Sequence, residues 1–150
     1  MRFFKRKDAA APDGPIPDEW ELSAGELDGK PIVTRFRIGA RPWVGSADYP
    51  IQIGVAIPFL QPNDQGMPVG DEVAQLEAFE DALIERAGTQ AVFVGVLTTG
   101  GMREFVLYTG SGDWIPAFHQ DLIAAMPTHE VQVMAQTDPK WATFRQFVQT

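Results

Sequence analysis

Arg35, Arg37, Arg41, Trp43, Tyr49, Arg103 and Glu104 are the side chains whose types could do chemistry together. A guanidinium presents a planar fork of donors to carboxylates and phosphates, and arginine and aromatic residues are enriched where surfaces bind. Period-two alternation puts Arg35 and Arg37 on one strand face, and Trp43 and Tyr49 come from the loop that follows. The commoner use of such residues is salt bridging at sheet edges. A pocket near Arg41 and Arg103 would suit a small hydrolase or transferase, whereas a flat face would suit a binding module.

Other motifs carry less chemistry. Phosphate-cradling glycine loops lead from a strand into a helix, whose first N–H groups meet the anion. "TTGGMREFVLYT" (residues 98–109) instead leads from one strand into another, so Gly100 and Gly101 read as a hairpin turn. "TGSGDW" (residues 109–114) does enter a helix, but Ser111 or Asp113 there reads as a helix cap, and a carboxylate would repel phosphate. His119 and His129 show no ligand spacing and read as boundary or surface residues, so no metal or cofactor is expected. Ser23, Ser46 and Ser111 occupy turn-like or strand-end settings, outside any nucleophile elbow.

The chain has 150 residues, no cysteine and a net charge of −8. The missing cysteines exclude disulfides and thiolate chemistry and agree with a cytoplasmic setting. No apolar run is long enough to span a membrane. Arg2, Lys5, Arg6 and Lys7 are cationic, so residues 8–150 carry −12. Such a body repels nucleic-acid phosphates, which argues against direct DNA or RNA binding and leaves solubility or a basic protein partner as its role. The tail, with Phe3 and Phe4 among its cations, could touch an anionic surface weakly.

The elements that must position these residues follow from periodicity. Residues 1–18 read as a disordered basic tail and a Pro/Ala linker, and residues 19–150 as one α+β domain. Strands are expected at Trp20–Ala24 and Ile32–Ile38 around a turn at Asp28-Gly29, then a loop over residues 39–50. In the next strand Ile51, Ile53, Val55, Ile57 and Phe59 share a face; Gln52, Gly54 and Ala56 share the other, where something can approach closely. Asp71 is expected to cap a helix to about Arg86, with Leu76, Phe79 and Leu83 inward. Glu72, Glu77, Glu80, Asp81 and Glu85 would face water. Two apolar strands meet at the Gly100-Gly101 turn. A helix over Asp113–Met126, a strand from His129 and a short last helix complete the chain, the last with Asp138 as N-cap, Pro139 at N1 and Trp141, Phe144 and Val148 inward. From residue 51 to 136 this order is the ferredoxin-like split βαβ sandwich, with an additional N-terminal β-hairpin and a short C-terminal helix.

"GELDGKPIVTRF", "YPIQIGVAIPF", "TTGGMREFVLYT" and "DPKWATFRQF", in this order, resemble the bacterial domain-of-unknown-function family 695 over about residues 19–148. That resemblance implies no activity and carries over no catalytic residue. Asp138, Pro139, Trp141 and Phe147 also resemble a phrase of the regulator of ribonuclease activity B family, with Phe144 where that phrase has tyrosine. Its members are acidic ferredoxin-like proteins that inhibit ribonuclease E by binding it. The expected function is a non-enzymatic cytoplasmic binding or regulatory module with a protein partner. The alternatives are such a ribonuclease regulator or the small hydrolase or transferase; the oligomeric state stays open.

Overall fold

The computed structural model describes residues 12–150; the basic tail and the start of the linker lie outside the described residues. Six strands form one sheet: β1 (Glu21–Leu27), β2 (Lys30–Phe36), β3 (Ile51–Pro58), β4 (Ala91–Thr99), β5 (Met102–Thr109) and β6 (Gln132–Thr137). The helices are α1 (Asp71–Ala87), α2 (Ile115–Ala125) and α3 (Ala142–Phe147). The spatial order is β1-β2-β4-β5-β3-β6, and every neighbouring pair is antiparallel. Within it β3-α1-β4 and β5-α2-β6 interleave, giving the α+β ferredoxin-like arrangement. The β1–β2 hairpin extends the sheet beyond β4, turning at Asp28 (φ 54°) and Gly29 (φ 79°).

Each sheet face carries its own core. On one, Ile53, Val55, Ile57, Phe105 and Leu107 meet Leu76, Phe79 and Leu83 of α1 and Phe118 and Leu122 of α2. On the other, Val92, Val94, Val106 and Tyr108 meet Trp141 and Phe144 of the C-terminal segment and Ala40 and Trp43. Alternation assigns the side chains to these faces. A bulge between Phe93 and Gly95 shifts it on β4, so that Val96 joins the α1 face and Gly95 lies under the Phe36 ring.

Several local expectations change. The segment expected as a loop contains a 3₁₀ helix, Ile38–Trp43, that places Ala40 and Trp43 in the second core. Within the expected linker, Ile16 packs against that core, and the Arg37 guanidinium donates to the carbonyls of Ile16, Pro17 and Phe93. Two of these acceptors lie in the linker and the third on β4, so the guanidinium ties the linker to the sheet. Gly70, not Asp71, is the N-cap of α1, and Trp114, not Ser111 or Asp113, is that of α2. Ser111 Oγ instead accepts the Asp113 N–H at 3.2 Å, a local turn that competes with capping.

Helix α3 starts later than Pro139, because Trp141 takes a left-handed backbone (φ 57°). Asp138 still serves its N-terminus from outside, accepting the N–H groups of Ala142 at 2.8 Å and Thr143 at 3.2 Å. Glu72, expected in water, is buried: it accepts the Leu60 N–H at 2.8 Å and pairs with His129 Nε2 at 2.6 Å. His129 is therefore a core residue. Its Nε2 carries the proton facing the carboxylate, while Nδ1 faces the Thr128 hydroxyl at 2.9 Å. Burial alone would raise the Glu72 carboxyl; hydrogen bonds from Leu60, His129 and Gln61 outweigh it and hold the group below its ordinary value.

Candidate functional site

The seven candidate residues do not form one site. Arg103 and Glu104 are consecutive on β5, so their side chains leave opposite faces of the sheet. Arg103 lies on the α1 face with Arg35. Arg41, Trp43 and Tyr49 lie on or just after the 3₁₀ helix, beyond the Phe36 end of β2, whereas Arg103 sits by the Gly100-Gly101 turn at the other end. Arg41 and Arg103 therefore share no pocket. Arg41 is exposed, its Nε donating to the Ile38 carbonyl at 3.2 Å. Trp43 is core, and the Tyr49 carbonyl accepts the indole N–H of Trp141 at 2.9 Å.

Arg35 and Arg103 do meet, in a cleft of about 470 Å³ between the sheet and α1. Arg35 pairs with Glu80, and its guanidinium also lies 5.2 Å from the Trp20 ring centre. Arg103 Nε donates to Thr98 Oγ1 at 2.9 Å. Burial pulls the Arg103 guanidinium below its ordinary value, while Glu80 and Glu77 act the other way. Glu77, Glu80 and Asp81 on the wall make an anion a poor occupant, and the lining holds neither histidine nor serine. Arg37 is occupied by its three carbonyls.

Glu104 sits differently. The second face is covered by α3 and the 3₁₀ helix only in part, and the rest is an open groove. Leu97 of β4 and Glu104 of β5 are direct register neighbours on its floor, which Gln52 and Gly54 of β3 continue. Met134 and Gln136 of β6 close one end; Leu27 of β1 closes the other; Thr143, Gln146 and Phe147 of α3 form a wall. The volume is about 400 Å³, and a further hollow of about 240 Å³ continues along β1 under Gln146 and Phe147. Met134 is 71% exposed and Leu27 39%. The wall is fixed by Phe147, which stacks on Phe36 at 5.1 Å.

Two glycines shape this face. Phe36 fills the space above Gly95, and the Glu104 carboxylate lies above Gly54. The close approach expected at Gln52, Gly54 and Ala56 is thus made by Glu104. Among the described residues its carboxylate has no hydrogen-bond or ion-pair partner, and burial raises it from its ordinary value. Nearby, Gln52 Oε1 accepts from Gln136 Nε2 at 2.8 Å. Glu104 was legible as a candidate, but its setting came from a strand pairing that alternation alone does not supply.

Asp138 and Trp141 of the phrase "DPKW" are used by the core. Asp138 Oδ2 accepts the Tyr108 hydroxyl at 2.7 Å, and that hydroxyl accepts the Phe144 N–H at 3.3 Å. Trp141 stacks on Tyr108 at 4.2 Å with an interplanar angle of 9° and is fully buried. Burial and the Asp138 bond raise the Tyr108 phenol well above its ordinary value. Burial would also raise Asp138, but the bonds from Tyr108, Ala142 and Thr143 outweigh it and hold the carboxyl low. Among the described residues no group of three or more His, Asp or Glu could hold a metal ion, and no helix is long and apolar enough to cross a membrane. The model of a family of unknown function (DUF695) matches residues 18–149. No curated protein and no solved structure matches the chain.

Proposed function

The chain belongs to the family of unknown function DUF695, and we propose that this protein is a non-enzymatic cytoplasmic module that binds a segment of a protein partner in the groove beside α3. One observation carries the reading: a groove lined by five strands and α3 leaves Leu27 and Met134 exposed around a half-buried carboxylate with no partner among the described residues. Apolar patches rimmed by polar groups mark interaction surfaces, and an elongate groove suits an extended or helical segment. The groove opens beside β1, an edge strand exposed along all seven residues. The Arg35–Arg103 cleft supports the hydrolase or transferase alternative less well, because its cations are paired or face three acids. The likeness to the ribonuclease regulators rests on Asp138 and Trp141, which the core uses, on the exposed Pro139 and on Phe147 of the groove wall, and four such positions name no partner for this groove.

Site-specific photo-crosslinking in cells tests the reading. A photoreactive residue at Met134 should give a discrete protein adduct that Leu27→Asp in the same chain abolishes. The same residue at Ile123, exposed on α2 across the sheet, should give none. Equal adducts from both positions, or none from Met134, would exclude the groove.

A further inference from the structure

We propose that the segment seated in this groove carries a lysine or arginine whose charge rests on Glu104, flanked by apolar side chains that cover Leu27, Leu97 and Met134. The inference rests on the protein-binding reading and names the chemistry of its partner.

Three features lead there. First, Glu104 is set for an incoming donor. Its carboxylate is half-buried on the floor over Gly54, and no described side chain donates to it. A carboxylate in such a place is costly until a cation and its hydrogen bonds arrive. The nearest sequence cation, Arg103, leaves the opposite face and cannot turn to it. Second, the groove suits an amphipathic side chain. Leu97, the register neighbour of Glu104, offers apolar floor to the methylene stem of a lysine or arginine, whose charged head then reaches the carboxylate. Third, the long-range field agrees: residues 8–150 carry −12, so a basic segment is drawn toward the body and an acidic one repelled.

The other charged cleft lacks this arrangement, since Arg35 is already paired with Glu80. The Glu72–His129 pair lacks it as well, being enclosed and mutually satisfied.

Two pentapeptides that differ in one group test the inference with the full chain: Ac-Ala-Leu-Arg-Leu-Ala-NH₂ and its citrulline counterpart, which keeps the shape and removes the charge. In two-dimensional amide NMR the arginine peptide should shift Gly54, Leu97, Glu104 and Met134. It should bind about ten-fold more tightly than the citrulline peptide, the difference a charge-assisted bond makes. In Glu104→Gln that preference should vanish while amides of α1 and α2 keep their positions. Equal affinities in the native chain, a preference that survives Glu104→Gln, or no shift by either peptide would overturn the inference. Met134 crosslinking separates the failures: if it still gives its groove-specific adduct, only the cationic partner is wrong, and if it does not, the protein-binding reading falls too.

Discussion

The Glu104 carboxylate occupies the space that a side chain at residue 54 would need: a Cβ built on Gly54 would stand 2.5 Å from Glu104 Oε2. The strand thus leaves out a side chain where the neighbouring strand lays down an acid. Burial raises that acid's protonation range, and the sign of its effect on stability follows. A carboxyl raised in the folded state supports folding below its unfolded value, about 4.3, and withdraws that support as pH rises through its folded value. Glu104→Gln should therefore match the native chain near pH 4 and melt at an equal or higher temperature at pH 7. Melting curves at both pH values check this; a variant clearly less stable at pH 7 would mean that the carboxylate has a stabilising partner.

Trp141 and Tyr108 join the C-terminal segment to the sheet. Truncation of a fully buried indole removes its transfer energy and leaves a cavity, so Trp141→Ala should destabilise by roughly 3–5 kcal/mol. Tyr108→Phe removes only the hydroxyl that donates to Asp138, and should cost about 1–3 kcal/mol. Denaturant unfolding of both variants measures the two losses, and a Tyr108→Phe protein as stable as the native chain would contradict the role given to that bond.

The β4–β5 turn depends on backbone that side chains rarely adopt. Gly100 and Gly101 have φ of 59° and 83°. Valine at either position should cost more than about 1 kcal/mol. The Gly101 variant should also loosen residues 60–70, because the Gly101 N–H donates to the Gly66 carbonyl at 3.0 Å and its carbonyl accepts the Phe59 N–H at 2.8 Å. Amide hydrogen exchange at Phe59 reads that second effect; unchanged exchange would show that the loop is held by other contacts.

Acid should act on two carboxylates in the opposite sense from Glu104. Glu72 and Asp138 are both held below their ordinary values, so each supports the fold above its unfolded value, near pH 4, and loses that support as pH falls through its folded value. Stability should drop steeply below about pH 4, and less steeply in Glu72→Gln. At pH 7, His129→Ala should cost roughly 1–3 kcal/mol by leaving a buried carboxylate short of a donor. Unfolding curves from pH 2 to 7 provide the comparison, and parallel acid losses in the native and Glu72→Gln chains would contradict the account of this pair.

Much of the fold was legible because its signals are local. Period-two runs at Ile51–Phe59, paired glycines at Gly100-Gly101 and the Leu76, Phe79, Leu83 stripe each specify an element from within a few residues. Glu72 also had a signal: it lies four positions before Leu76 on the same helical face, although its charge suggested water. Its partner His129 was not legible, since the two are 57 residues apart and meet only when α1 and the turn before β6 pack. The candidate site failed in one respect that alternation could have caught. Arg103 and Glu104, as neighbours on a strand, cannot serve one surface. The groove itself follows from strand order, which brings β6, β3, β5 and β4 side by side, and from α3 covering only part of their outer face; neither is written in a local pattern.

The most direct measurement of the central claim is an amide shift map of the full chain on addition of the purified partner that crosslinks to Met134. The shifts are expected to concentrate at Gly54, Leu97, Glu104, Met134 and Gln146, with Ile84 and Ile123 across the sheet unmoved. A map centred on Ile84, Ile123 and the Arg35–Arg103 cleft, with the groove silent, would contradict it.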